Sequence, residues 1–529
     1  MSCAYENRRF FFEFDRMKKL FLSLLTGLLL SLAFPPLKMG FLAYWGLIPF
    51  FYLLKDLSYK EAMKWGYLTG LFLNIGTLYW ISWVTLPGTV AAILYLPVYL
   101  VLYAALHTFI RKRIGEKYLL IWIPFLWTGI EFIRSIGVLG FPWTSLAYTQ
   151  THYLALIQYA TYTSIYGVSF WVVLINVTIF AILRYYDRIR VVIALFIFLM
   201  ILFILPWIYG KLTIPKDIQY QDKVRVAVVQ GNVDSYLKSE ESFWEENFEI
   251  YERLTLEAME EKPQLIIWPE TAIPCFLRYN ALYLGKVREL ASRINTPIIT
   301  GAHDVEFYKD GGYQTHNGVF LIIPNSNSLQ SYSKLHLVPF GERVPFTEVF
   351  PLLKETLEML EMGEGNFSPG DALKTFRIPV QHPRDNAEKR VLRMPVVVCF
   401  ESMFPELVRK FVMHKNAAML AIITNDGWFR KTSAPYHHSQ VAVFRAIENR
   451  IAIARSANTG VSMFIDAYGR TIRSTPIFER TWIAADLSSR SEHTFFTRFG
   501  PVFAITISLI NLGPIIVALF KNDKMHANI

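Results

Sequence analysis

Three short stretches of this chain place a thiol, a carboxylate and a cation where apolar runs end. In VVVCFE (396–401) three valines lead into Cys399, Phe400 and Glu401. In IIWPE (266–270) Glu270 follows a tryptophan and a proline, and in YSKLHLVPFGE (332–342) Lys334 precedes Glu342 by eight positions. Each has a bland reading. Free cysteine is among the most buried residue types, a lone glutamate is a surface carboxylate, and a lone lysine is solvated. Together they fit one chemistry. A thiol attacks an ester or amide as the thiolate, which requires a neighbouring base or cation. Glu270 would accept the thiol proton and later manage the proton of an incoming nucleophile. Lys334 would lower the thiol pKa and, with the Phe400 backbone N–H, stabilise the oxyanion. Glu342 and Glu401 would orient the lysine or a lid.

Such residues must be held by a sheet. VRVAVVQ (224–230), QLIIW (264–268), TPIIT (296–300), GVFLII (318–323), VLRMPVVVCF (391–400), AAMLAIIT (417–424), IAIARSA (451–457) and VSMFID (461–466) read as strands. Between them, 241–260 carries Trp244, Phe248, Tyr251 and Leu254 on one helical face, and Ala281–Ile294 and Tyr436–Asn449 are further helices. The alternation predicts an α/β domain with helices covering the sheet.

The rest of the chain is of another kind. Of 529 residues 53% are hydrophobic and only 18% charged, against about 25% charged in ordinary soluble proteins. The excess lies in residues 18–211 and 501–520, and this predicts a seven-helix membrane domain over 1–211, an outer domain over 220–490 and a last span over 500–522. The apolar cores are Leu20–Phe34, Phe41–Leu54, Trp65–Val84, Val90–Ile110, Tyr118–Ile133, Ser164–Leu183, Val191–Ile208 and Val502–Phe520. The first two are short and fit a shallow hairpin around Pro35-Pro36. An uncleaved first helix is preferred to a signal peptide, because further spans follow directly.

Charge sets the expected orientation. The net charge of +10 is not gathered on one face, which argues against nucleic acid. Basic residues crowd the N-terminal arm (Arg8, Arg9, Arg16, Lys18, Lys19) and alternate loops (Lys55, Lys60, Lys64; Arg111, Lys112, Arg113, Lys117; Arg184, Arg188, Arg190). By the positive-inside rule both termini are cytoplasmic and the α/β domain lies outside. The outer loop RSIGVLGFPWTSLAYTQTHYLALIQYATYT reads as an interfacial aromatic belt, or as a platform for a lipid-borne substrate. Arg134, near Glu131, is expected to snorkel to the interface.

Several signals are weaker. Cys3, Cys275 and Cys399 have no paired spacing, so neither a disulfide scaffold nor a zinc site is expected. Adjacent His437 and His438 seldom reach one ion and read as loop or helix-start residues. Asn425, Asp426 and Trp428 are expected to shape a loop beside Cys399. In VPFTEVFPLLKETLEMLEMG, Leu353, Leu357 and Leu360 form one apolar face, either a lid on the bilayer or an ordinary packed helix.

WPE, SKLHLVPFGE, CFE, TNDGWF and RAIENR resemble the Glu-Lys-Cys motifs of the carbon–nitrogen hydrolase (nitrilase) superfamily. With the flanking apolar segments, the GFPW loop and VPFGE, nearly the whole chain resembles the apolipoprotein N-acyltransferase family. The resemblance implies a nitrilase-like α-β-β-α sandwich inserted between helices 7 and 8 of an eight-helix bundle. It implies Glu270 as general base, Lys334 as oxyanion partner, Cys399 as nucleophile, and Glu342 and Glu401 as supporting carboxylates. It further implies a phospholipid acyl donor, a diacylglyceryl-modified apolipoprotein as acceptor, no cofactor or metal, and a bacterial inner-membrane location with the catalytic domain periplasmic. Two positions depart from the family pattern: Ser239 stands where a tryptophan is usual, and Phe400 where a tyrosine is usual. The alternatives are a membrane-tethered amidase or nitrilase, with water as second nucleophile, and a non-catalytic receptor or transporter.

Overall fold

Apolar helices and alternating strands fall into separate units in the computed structural model, which describes residues 2–216, 223–345, 367–381, 389–488 and 492–520. One unit comprises Met1–Ser82, Leu86–Leu212 and Pro501–Ile529, and the other Trp83–Thr85 and Thr213–Gly500. The face of Leu353, Leu357 and Leu360 lies outside the described residues, as does the C-terminal tail.

The first unit is helical: α1 (Ser2–Ala33), α2 (Ile48–Leu54), α3 (Tyr59–Leu78), α4 (Leu86–Tyr95), α5 (Pro97–Arg113), α6 (Glu116–Arg134), α7 (Ala160–Arg184) and α8 (Ile189–Thr213), then Val502–Ile510 and Leu512–Phe520. Among the described residues, four stretches are long and apolar enough to cross a bilayer: Gly88–Arg113, Ala160–Arg184, Ile189–Thr213 and Val502–Phe520. Two expected boundaries change. Leu20–Phe34 belongs to a 32-residue helix that begins in the N-terminal arm. Phe41–Leu54 divides into the 3-10 turn Gly40–Tyr44 and the seven-residue α2, which at about 10 Å is far shorter than the ~30 Å hydrocarbon layer.

The basic loops meet at one end of this unit. Arg111 donates to the Leu57 carbonyl at 2.7 Å, Arg184 pairs with Glu116 at 3.5 Å, Lys112 lies 4.7 Å above the Tyr59 ring, and Lys19 is 3.6 Å from Glu61. A Ser58–Glu61 capping box starts α3 there. The Arg134–Thr163 loop is not an exposed belt. Trp143 is buried 4.8 Å from Trp80, and Gln150 is fully buried, accepting from the Tyr44 hydroxyl and donating to the Gly40 carbonyl. Nor does Arg134 snorkel. It is buried beside Ser145, while Glu131 accepts from Trp127 Nε1 and the Leu146 N–H, both at 3.0 Å. The loop's own backbone needs these groups inside, because an unpaired buried amide is costly.

The second unit is an α/β fold built on two main sheets. β1 (Lys223–Gln230), β2 (Leu265–Ile267), β3 (Ile273–Phe276), β4 (Ile298–Phe307), β5 (Tyr313–Ile322), β6 (Leu329–Ser333) and β14 (Thr481–Ser488) form a seven-stranded sheet in the order β14-β1-β2-β4-β5-β6, with β3 also on β4. β9 (Val396–Val398), β10 (Leu420–Thr424), β11 (Ile453–Ala457), β12 (Met463–Ile465) and β13 (Thr471–Ser474) form a second sheet in the order β13-β12-β11-β10-β9. The sheets meet through Ser456, whose hydroxyl reaches the carbonyls of Val229 at 3.1 Å and Ile267 at 3.2 Å.

Helices α9 (Trp244–Ala258) and α10 (Ala281–Ile294) cover the first sheet. Phe248, Tyr251 and Leu254 on α9 pack with Trp268, Val287 and Leu290 in one buried cluster, as the 3.6-residue period demands. Ala434–Asn449 and Pro405–Met413 are the helices that follow strands of the second sheet. The expected strand 391–400 is two strands. β8 (Lys389–Met394) pairs with β7 (Phe376–Gln381), and only β9 joins β10. Pro395 stands at the break, where it has no N–H to continue a ladder.

Candidate active site

Cys399, Glu270, Lys334 and Asn425 each follow directly, or within three residues, the end of a strand: β9, β2, β6 and β10. Parallel pairing of β9 with β10 and of β1 with β2 turns several strand ends the same way, the usual place for a site in open α/β sheets.

Glu270 lies in a tight turn. The next residue, Thr271, has φ +51°, and the Pro269 carbonyl accepts the Gly301 N–H at 3.2 Å. Gly301 has no room for a side chain, since a Cβ there would stand 2.7 Å from the Glu270 Cα. The carboxylate is buried and receives three donors. Asn317 Nδ2 at 2.8 Å and Lys334 Nζ at 3.3 Å reach Oε1, and the Asn425 N–H reaches Oε2 at 2.8 Å. Burial raises the pKa of this carboxyl, but the Lys334 ammonium, Asn317, the Asn425 N–H and Lys238 prevail and hold it below the usual carboxylate range.

Lys334 is buried between two carboxylates, 2.9 Å from Glu342 and 3.3 Å from Glu270. Asn317 Nδ2 bridges the same pair, reaching Glu342 Oε1 at 2.8 Å, and Glu342 Oε2 accepts the Val338 N–H. Burial opposes the lysine's charge, yet Glu342, Glu270 and Cys399 hold its pKa well above the lysine range. Glu342 therefore holds the Lys334 ammonium in place. Glu401 acts one step away. Oε2 accepts the Val398 N–H at 2.8 Å, and Oε1 accepts Tyr332 Oη at 2.6 Å and the Leu335 and His336 N–H groups at 2.7 and 3.1 Å. It fastens the end of β9 to the loop after Lys334 rather than touching the lysine.

Cys399 opens a 3-10 turn (Cys399–Met403) with φ +51°, a left-handed conformation that costs a non-glycine residue about 1 kcal/mol or more. Its carbonyl is held by Ser402 Oγ at 2.7 Å and His438 Nε2 at 3.1 Å. His438 Nδ1 lies 2.8 Å from Asp426, which in turn pairs with Arg455 at 2.9 Å. Phe400 packs edge-on against Phe404 at 5.1 Å. Burial and the charge of Glu270 push the Cys399 thiol well above its usual range, and Lys334 pulls the other way without prevailing. Lys334 does act to lower the thiol pKa, but burial and Glu270 outweigh it.

Several contributing residues were not singled out from sequence. Asn317 and Tyr332 sit in strands whose polar residues look like a solvent face. Lys238 is buried and donates to the Thr271 carbonyl at 3.3 Å. The neighbouring Ser239 hydroxyl is taken by the Ser235 carbonyl at 3.1 Å. His438, read as a helix-start residue, lies in the Ala434–Asn449 helix with its ring on the Cys399 carbonyl. Asn425 does more than shape a loop, because its N–H binds Glu270. Cys275, the other described free thiol, is buried and pushed up to about 12 by burial.

Residues 26–178 match the family model described as apolipoprotein N-acyltransferase N-terminal domain, and 225–494 match the carbon-nitrogen hydrolase model. An apolipoprotein N-acyltransferase of Geobacter metallireducens is 35% identical, covering 96% of each chain. Another, of Chlorobaculum tepidum, is 31% identical over 91% of this chain and 92% of its own. Among solved structures, an amidase from Nesterenkonia sp. aligns with 54% of this chain and 95% of its own, at 17% identity and TM-score 0.37.

Proposed function

The chain belongs to the apolipoprotein N-acyltransferase family, and from that premise we propose a two-step acyl transfer through a thioester on Cys399. The enzyme is an acyltransferase with a carbon–nitrogen hydrolase domain. In the first step Sγ attacks the ester carbonyl of a phospholipid while Glu270 takes the thiol proton. The oxyanion forms against the Lys334 ammonium and the Phe400 N–H. The carbon–oxygen bond breaks, the Glu270 proton passes to the departing lysophospholipid, and the acyl group remains on sulfur.

In the second step the α-amine of a diacylglyceryl-cysteine at an apolipoprotein N-terminus attacks the thioester. Glu270 receives the amine proton and returns it to the departing thiolate, leaving an amide. The observation that carries this reading is the buried Lys334–Glu270 pair at 3.3 Å, electrostatically coupled to Cys399. A thiol that stays protonated at rest needs a base at the moment of attack, and an ionised Glu270 supplies it. The basic loops support a cytoplasmic face at that end of the helices and a catalytic domain on the periplasmic side of a bacterial inner membrane.

The test supplies purified protein with phospholipid labelled in its acyl chain. Mass spectrometry is expected to find the acyl group on Cys399 and none in Cys399→Ala, and adding a lipopeptide amine should then release N-acylated lipopeptide. An unmodified wild type would overturn the mechanism. Free fatty acid as the only product would favour a membrane-tethered amidase.

A further inference from the structure

A single peptide group joins the proposed nucleophile to its proposed oxyanion donor. The Cys399 carbonyl and the Phe400 N–H lie in one plane and point in opposite directions, so whatever holds the oxygen also sets the line of the N–H. Two groups hold that oxygen, Ser402 Oγ at 2.7 Å and His438 Nε2 at 3.1 Å, and the same Nε2 is 3.1 Å from Ser402 Oγ.

Behind the ring stands a buried set of charges. His438 Nδ1 is 2.8 Å from Asp426 Oδ1, Thr424 Oγ1 donates to that oxygen at 3.0 Å, and Arg455 Nη2 donates to Oδ2 at 2.9 Å. His438, Ser402, Thr424, Asp426 and Arg455 are each 1% exposed or less. They come from different elements: the 3-10 turn of Cys399, the end of β10 and the loop after it, β11, and the Ala434–Asn449 helix. Burial raises the Asp426 pKa, yet Arg455 and His438 prevail and hold it well below the carboxylate range. Asp426 therefore only accepts, as does the Cys399 carbonyl, and the His438 ring donates from both nitrogens.

Asp426 works against the thiolate, for its charge adds to burial and Glu270 in pushing the Cys399 thiol up. A carboxylate buried in so unfavourable a place has its use in what it holds, and what it holds is the ring on the Cys399 carbonyl. Hydrogen bonds in series strengthen one another, and a donor backed by a carboxylate draws electron density from the N–H end of the same peptide. We infer that His438, set by Asp426, is a positioning residue for acyl transfer, and that through the Cys399 carbonyl it aims and polarises the Phe400 N–H. The inference rests on the proposed thioester mechanism, in which that N–H meets the oxyanion.

Full-length wild type, His438→Leu, His438→Gln and Ser402→Ala would each receive two reagents, with the Cys399 peptide read by rapid-quench mass spectrometry. One is acyl-labelled phospholipid. The other is methyl methanethiosulfonate, which passes a methylthio group to sulfur and releases methanesulfinate without forming a tetrahedral oxyanion. His438→Leu should acylate about 100-fold more slowly at saturating phospholipid, as when an oxyanion donor is lost. Its half-saturating phospholipid concentration should be unchanged, and its thiosulfonate reaction should stay within about threefold of wild type, well below that loss. His438→Gln, whose amide N–H replaces Nε2–H, should recover about tenfold of the loss. Ser402→Ala keeps the ring and removes one donor, so it should lose about tenfold, and it carries the test if the leucine variant does not fold. Wild-type acylation in His438→Leu, or in Ser402→Ala if the leucine variant does not fold, would overturn the inference. So would an equal fall with both reagents, which marks a purely structural role. A wild type that takes no acyl group would overturn the thioester mechanism, and the inference with it.

Discussion

At the scale of single residues, the site works through opposed pKa shifts. Glu270 is held below the carboxylate range, so its basic form persists above pH ~4.3, where a free glutamate titrates, and is lost only as pH falls through its lower native value. Lys334 is held above the lysine range. Its contribution is complete below pH ~10.4 and is lost only as pH rises through its higher native value. The rate of Cys399 acylation measured by rapid-quench mass spectrometry should therefore show no limb between about pH 5 and 9. A limb near pH 6–7 would mean that another group is the base. The later aminolysis should carry a limb near pH ~8 from the acceptor's own α-amine. Glu270 and Cys399 stand out in the sequence at the ends of apolar runs, whereas Lys334 follows the polar β6 and Glu342 lies eight residues on in a loop, so neither stands out alone. Asn317 was not legible, for an amide in YQTHNGV gives no sign that it faces inward to bridge two carboxylates.

At the scale of elements, the site depends on how closely backbones approach. β4 passes beneath the Glu270 turn at Gly301, where a Cβ would lie 2.5 Å from the Thr271 nitrogen. Gly301→Ala must part β4 from that turn and shift Glu270, the proposed base, and a displacement near 1 Å costs about 100-fold in rate. The expected result is a loss of Cys399 acylation of that order, with the variant still extracted as a folded protein of unchanged circular dichroism. Wild-type acylation would show that the turn adjusts without moving the carboxylate. The strands ending at Glu270 and Cys399 could be read from their β-branched runs, as could the amphipathic α9. β6 and β13 could not, because LQSYS and TIRS carry too many polar residues to show a two-residue period, while in β7 the alternation of FRIPVQ is masked by Pro379. Pro395 marked a break that the continuous apolar run VLRMPVVVCF concealed.

At the scale of the whole molecule, the sequence separated the apolar and globular parts cleanly, because membrane and water select such different compositions. It was less informative about segments that are apolar yet folded inward, such as the Arg134–Thr163 loop, where burial in protein and contact with lipid leave the same signature. The orientation proposed from loop charge is testable on exposed lysines. A membrane-impermeant amine reagent applied to spheroplasts should label Lys262 and Lys309 and spare Lys60 and Lys64 until the membrane is opened, and the reverse pattern would overturn the topology. The resting protonation of Cys399 also bears on inhibition. An alkylating agent that relies on a standing thiolate, as iodoacetamide does, should find little to react with. An electrophile shaped like an ester, which engages Glu270 and Lys334 as it binds, would call up its own nucleophile, and selectivity over the many ionised thiols of a cell would come from that requirement.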